Sequence, residues 1–143
     1  MALILGLSAG CMAEQNVATD LPDGWMVTLG SQGGFTGGGS GYQIRANRSV
    51  RSWTRITPRD SLETARIGTA SDRTLRELYS AMTSKELRDL QLSQTGNMTA
   101  LLDWASGEET RHYAWPQGTR PPDPVVRAQE AAMAVVEDAR AHP

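Results

Sequence analysis

A chain of 143 residues has room for one domain, large enough to bury about two-thirds of its unfolded surface. Its 39% hydrophobic and 21% charged content is ordinary for a globular protein, and a net charge of −2 argues against a protein that works mainly by coating nucleic acid. No apolar run reaches the roughly 20 residues of a membrane-spanning helix, and the lone cysteine, Cys11, excludes an internal disulfide.

The chain opens MALILGLSAGC, an apolar run followed by Ser8, Ala9, Gly10 and Cys11. Small residues before a cysteine at the end of an apolar segment resemble the lipobox of bacterial lipoproteins. That resemblance implies cleavage before Cys11, lipid attachment there, a membrane anchor and a place in the bacterial cell envelope. Residues 1–10 then form the leader, 11–24 a tether containing Pro22, and 25–143 a single domain.

WMVTLG (25–30) alternates Trp25, Val27 and Leu29 on one side, the period of a half-buried strand. GGFTGGGSGY (33–42) follows, with six glycines around the chain's only phenylalanine. It does not read as a phosphate loop, because no lysine follows and the next element has strand character. Nor does it read as a spacer, because alternating strands abut both ends. It reads as a shaped connection between strands, with positive φ or bulges at some glycines. Tyr42 and Ile44 lie on one face of the second strand, residues 46–49 form a turn, and Val50–Ile56 returns as a third strand.

Residues 57–70 read as a connector, with Pro58 and Gly68. Ser71 or Asp72 then caps a helix carrying Leu75, Leu78, Tyr79 and Met82, and a Thr83–Glu86 capping box restarts a short helix with Leu87 and Leu90. A hairpin follows around Ser106–Glu109, with Met98, Ala100, Leu102 and Trp104 on one face and Tyr113 and Trp115 opposite. After a proline-rich crossing, Asp123 is expected as N-cap and Pro124 as the first residue of a helix burying Val125, Ala128, Ala132, Val135, Val136 and Ala139. The order β-β-β-α-β-β-α predicts an α+β fold, an antiparallel sheet with two helices packed on one face. Trp25, Tyr42, Leu75, Leu78, Trp104 and Val135 are its expected core.

Catalytic patterns are not evident. HExxH, CxxC and GxSxG are missing from the sequence, His142 is penultimate, and His112 has no companion acid at a recognisable spacing. Asp103, beside Trp104, reads as a perturbed carboxylate or, as a lone strand acid more often is, as one facing water. No cofactor, catalytic or metal-ligand set is expected, and the chain reads as a non-enzyme with no nucleic-acid partner. Arg45, Arg48, Arg51, Arg55 and Arg59 run without an acid until Asp60. They read as a solvated sheet edge or, for Arg45, Arg48, Arg51 and Arg55, as contacts to an acidic patch on a partner.

A strand, then Gly33, Gly34, Phe35, Thr36 and Gly37, then strand, turn, strand, helix, hairpin and C-terminal helix resembles the emfourin family over about residues 25–140. Emfourins are small bacterial inhibitors of thermolysin-like metalloproteases. The resemblance implies a domain that binds a protein, with those five residues at the interface and a metalloprotease as target; the lipobox-like leader adds that this is an envelope lipoprotein. Extra glycines at 38, 39 and 41 and the lipoprotein leader depart from the family pattern. An accessory envelope lipoprotein without a protease target is the alternative, and an enzyme with an unrecognised site a third reading.

Overall fold

The computed structural model describes residues 21–143, so the leader, Cys11 and most of the tether lie outside the described residues. Six strands, β1 (Trp25–Gly33), β2 (Gly38–Arg45), β3 (Ser49–Arg55), β4 (Glu63–Thr69), β5 (Met98–Ser106) and β6 (Glu109–Pro116), form one sheet ordered β4-β3-β2-β1-β5-β6. Every neighbouring pair is antiparallel. Three helices, α1 (Asp72–Met82), α2 (Lys85–Arg88) and α3 (Asp123–Arg140), complete the domain. The α+β class and the antiparallel sheet expected from the sequence are present.

β4 corrects the expected connector at 57–70. Its residues are mostly exposed, with Glu63 and Arg66 among them, so it lacks the apolar alternation that reveals a half-buried strand. It is an edge strand, and the opening meander has four strands rather than three. A bulge at Ile67 lets Val50 face Gly68 while Arg51 faces Arg66. Gly68 then lies against the end of α3, where a Cβ would fall 2.0 Å from the Ala139 carbonyl oxygen.

The helices cover the face bearing Trp25, Val27, Leu29, Ile44, Val50, Leu102, Trp104, Tyr113 and Trp115. Leu75, Leu78 and Met82 of α1 and the expected stripe of α3 are buried against it. All six of α3's buried positions are valine or alanine, side chains short enough to let the helix lie close. The Trp25 and Trp104 rings stack at 5.5 Å, with Tyr79 tilted against both. Tyr42 is only partly buried, because it stands where α3 leaves the sheet and its hydroxyl accepts from Arg140 at 2.6 Å. Leu21, assigned to the tether, packs against the core.

Two caps differ from expectation. Ser84, not Thr83, caps α2 by accepting from the Leu87 N–H, while Thr83 closes α1 and donates its hydroxyl to the Tyr79 carbonyl at 2.8 Å. Pro122, not Asp123, is the N-cap of α3, with no side-chain cap, so Asp123 and Pro124 occupy the first turn. Pro122 serves because its ring-fixed φ of −54° already matches the helix while its ψ of 149° keeps it outside the first turn.

Ser71 caps α1 as expected, but a distant residue reinforces the cap. Asp138 accepts from the Ser71 N–H at 2.6 Å and from the Thr74 hydroxyl at 3.0 Å, setting a carboxylate at the positive end of α1. The backbone bond from Ser71, then the hydroxyl bonds, hold this carboxyl below its usual 3.8. Its contribution is therefore fully present above that value and lost as pH falls through the lowered one. Asp138→Ala is expected to cost about 1–2 kcal/mol at pH 7. Denaturant titration should show the gap from wild type narrowing at acid pH.

Candidate functional site

The glycine-rich stretch divides into a strand end, a turn and a strand start. Gly34, Phe35, Thr36 and Gly37 form the β1–β2 turn, closed by the Gly37 N–H donating to the Gly34 carbonyl at 3.3 Å. Gly34 and Gly37 both have φ near +70°, the left-handed region that glycine enters without penalty. The Thr36 hydroxyl accepts from the Gly38 N–H, and the Gly34 N–H donates to the Asn97 carbonyl at 2.7 Å. The turn is thus fastened from within and to the segment preceding β5.

Gly38, Gly39 and Gly41 answer a different need, because their φ values are not left-handed. A Cβ at Gly38 would fall 2.3 Å from the Ile56 carbonyl oxygen, and one at Gly41 would fall 1.9 Å from the Leu29 carbonyl oxygen. Across the strand pair, Gly30 faces Gly41. The Trp53 ring lies over this bare backbone on the face away from the helices, its indole N–H donating to the Leu29 carbonyl at 3.2 Å. So the glycines shape one connection and let an aromatic ring pack flat onto strands.

The turn sits beside the β3–β4 loop: Pro58 packs against Gly37, and the Ile56 backbone lies against Gly38. That loop is braced by Asp60, which accepts from the Thr57 N–H at 2.9 Å. Among the described residues the exposed large hydrophobic side chains are Phe35, Ile56 and Leu62, all on these two adjoining loops. Phe35 is fully exposed and does not fold back on the sheet. Leaving a phenylalanine in water forgoes about 1.5–3 kcal/mol of burial. A recess of about 320 Å³ between Thr54, Arg55, Ile56, Asp60, Ser61 and Glu63 adjoins the apolar tip.

The arginines separate. Arg48 occupies the β2–β3 turn with φ 72° and pairs with Asp72 at 3.5 Å. Arg45, Arg51 and Arg55 lie on the face away from the helices, where Arg66 of β4 joins them.

Sequence reasoning missed the contact between His112 Nδ1 and Asp103 Oδ1, which face each other across the β5–β6 hairpin. The signal was available: each lies three residues from the closing pair Ser106 and Glu109, so a two-residue turn sets them opposite. Partial burial pushes the Asp103 carboxyl above its usual 3.8, opposed by the His112 hydrogen bond and charge. The pair borders a depression of about 390 Å³ with Met26, Thr28, Ala105 and Thr110. In register, Asp103 stands between Thr28 and His112. Thr28 therefore neighbours the acid, while Thr110 stands two residues from His112 on the same face of β6; among the described residues neither hydroxyl is hydrogen-bonded to the imidazole, the contact that a nucleophile–base pair needs. Among the described residues no three His, Cys, Asp or Glu side chains converge to hold a metal ion, and no helix is long and apolar enough to cross a membrane. No protein-family model matches the chain, and a search of curated proteins finds no relative.

Proposed function

We propose that the domain binds another protein through the paired loop tips bearing Phe35, Ile56 and Leu62, with Gly33, Gly34, Thr36 and Gly37 shaping the contact. The observation that carries this reading is the fully exposed Phe35 on an ordered turn. Glycine flanks leave the ring without side-chain cover and its backbone accessible, and an anchor carried on an ordered turn gives up little backbone freedom on docking. The sharper form of the proposal takes a thermolysin-like metalloprotease as target, with Phe35 entering an apolar specificity pocket and the domain held in the bacterial envelope through Cys11. The emfourin-like Gly-Gly-Phe-x-Gly segment and the lipobox-like leader support that form.

Phe35→Ala is the test. With the ring free of intramolecular contacts, the variant should melt within a degree or two of wild type. Full-length protein titrated against thermolysin should inhibit, and Phe35→Ala should weaken inhibition by about 2 kcal/mol or more, the size of an interface anchor. Equal inhibition by both proteins would move the interface elsewhere. Absence of inhibition by wild type would remove the protease and leave the accessory lipoprotein reading.

A further inference from the structure

We propose that the helix-free face of the sheet is a second part of the interface, a basic strip formed by Arg45, Arg51, Arg55 and Arg66 that receives an acidic segment of the protein partner. Arg51 and Arg66 are directly opposed across β3 and β4, and Arg55 lies about 13 Å further along β3 at strand rise. Arg45 lies on the same face of β2, opposite Met26. Among the described residues none of the four has a carboxylate within ion-pair distance. The one acid that the strands place on this face, Asp103, is engaged by His112.

Like charges directly opposite in an antiparallel pair destabilise it, so the Arg51–Arg66 pair is a local cost that the fold itself does not require. The side chains are also held in position. Arg51 donates twice to the Thr64 hydroxyl, at 3.2 and 3.1 Å, and Arg55 donates to the Gln32 side-chain carbonyl at 2.9 Å. Each guanidinium retains further N–H donors, and this fork matches a carboxylate.

Charge and surface chemistry favour a protein as occupant. The whole chain is net negative at −2, so the basic strip is local and a long polyanion gains little beyond it. Single-stranded nucleic acid on a sheet is held by exposed aromatic rings. The aromatic ring that the strands place on this face, Trp53, is buried over Gly30. Arg55 also adjoins the recess beside Ile56, which makes the strip continuous with the apolar tip. The fitting partner therefore has a run of Asp or Glu beside an apolar pocket. This inference rests on the protein-binding reading and names the partner's chemistry.

The experiment uses the full chain and a short poly-glutamate peptide, which has no apolar anchor. At low salt the peptide should perturb the NMR amide signals of Gln43, Arg51, Thr64 and Arg66, and binding should weaken as salt rises. Arg66→Glu should reduce peptide affinity about tenfold or more, yet raise the melting temperature, because it converts the like-charge pair with Arg51 into an opposite one. If that variant misfolds, Arg45→Glu, at an exposed site, carries the same affinity test. Unchanged affinity in the folded variant overturns the proposal. So does tighter binding of a single-stranded oligonucleotide or a phosphatidylserine vesicle through the same arginines. Poly-glutamate binding retained while thermolysin goes uninhibited removes the protease and keeps the strip.

Discussion

Leu78→Ala is expected to lower the unfolding free energy by about 2–5 kcal/mol, the range for emptying a packed aliphatic site. Leu78 is fully buried in α1, between the sheet and α3, within the cluster that holds Leu75 and Met82. α1 is tied at its start to Asp138 of α3, so it has little freedom to slide into a void. The loss should therefore fall toward the upper half of that range. Denaturant titration at neutral pH measures it, and a change below about 0.5 kcal/mol, typical of surface sites, would mean that the helix presents a different face.

Gly41→Ala is expected to cost about 3 kcal/mol or more although it adds one methyl group. The position has no left-handed φ, so backbone strain contributes nothing; the cost is purely spatial. The new carbon falls 1.9 Å from the Leu29 carbonyl oxygen and 2.6 Å from the Gly30 Cα. Backbone cannot swing aside as a side chain can, so β1 and β2 must separate near the centre of the sheet, where Trp53 is also seated. Gly107→Ala supplies the contrast. Its φ is 58° and nothing lies within 4 Å of the added carbon. Its cost should stay near the 1–2 kcal/mol of a left-handed alanine. A loss at Gly41 no larger than at Gly107 would show that β1 and β2 give way to the added methyl group.

Much of this was legible because burial leaves a period. Trp25, Val27 and Leu29 alternate, the stripe of α3 recurs at helical spacing, and both were recognisable without coordinates. β4 was not, because an edge strand with both faces largely wet has no apolar rhythm to display. The same gap hid Arg66 from the basic set and kept Arg48 in it, since only strand register shows which arginines share a face. The glycines carried two physical meanings in one run. Their density signalled a shaped backbone, but the seating of Trp53 on Gly30 depends on pairing between strands that no local pattern encodes. Asp103 and His112 fall between these cases, since the hairpin's symmetry placed them opposite each other once its turn had been located.

The strand order bears on how the domain comes together. Every neighbouring pair in the sheet is consecutive in the chain except one, the seam between β1 and β5. The meander β1–β4 and the hairpin β5–β6 close over short loops, whereas the β1–β5 seam joins residues far apart in the chain, from Gly33 with Met98 to Trp25 with Ser106. By loop-closure entropy that pairing costs more than a tight turn. The sheet is thus two sequence-local blocks joined by one long-range seam, the pairing that raises the contact order of the sheet. Trp25 and Trp104 stack diagonally across that edge, so the one seam that joins the two blocks also carries the stacked tryptophan pair of the core.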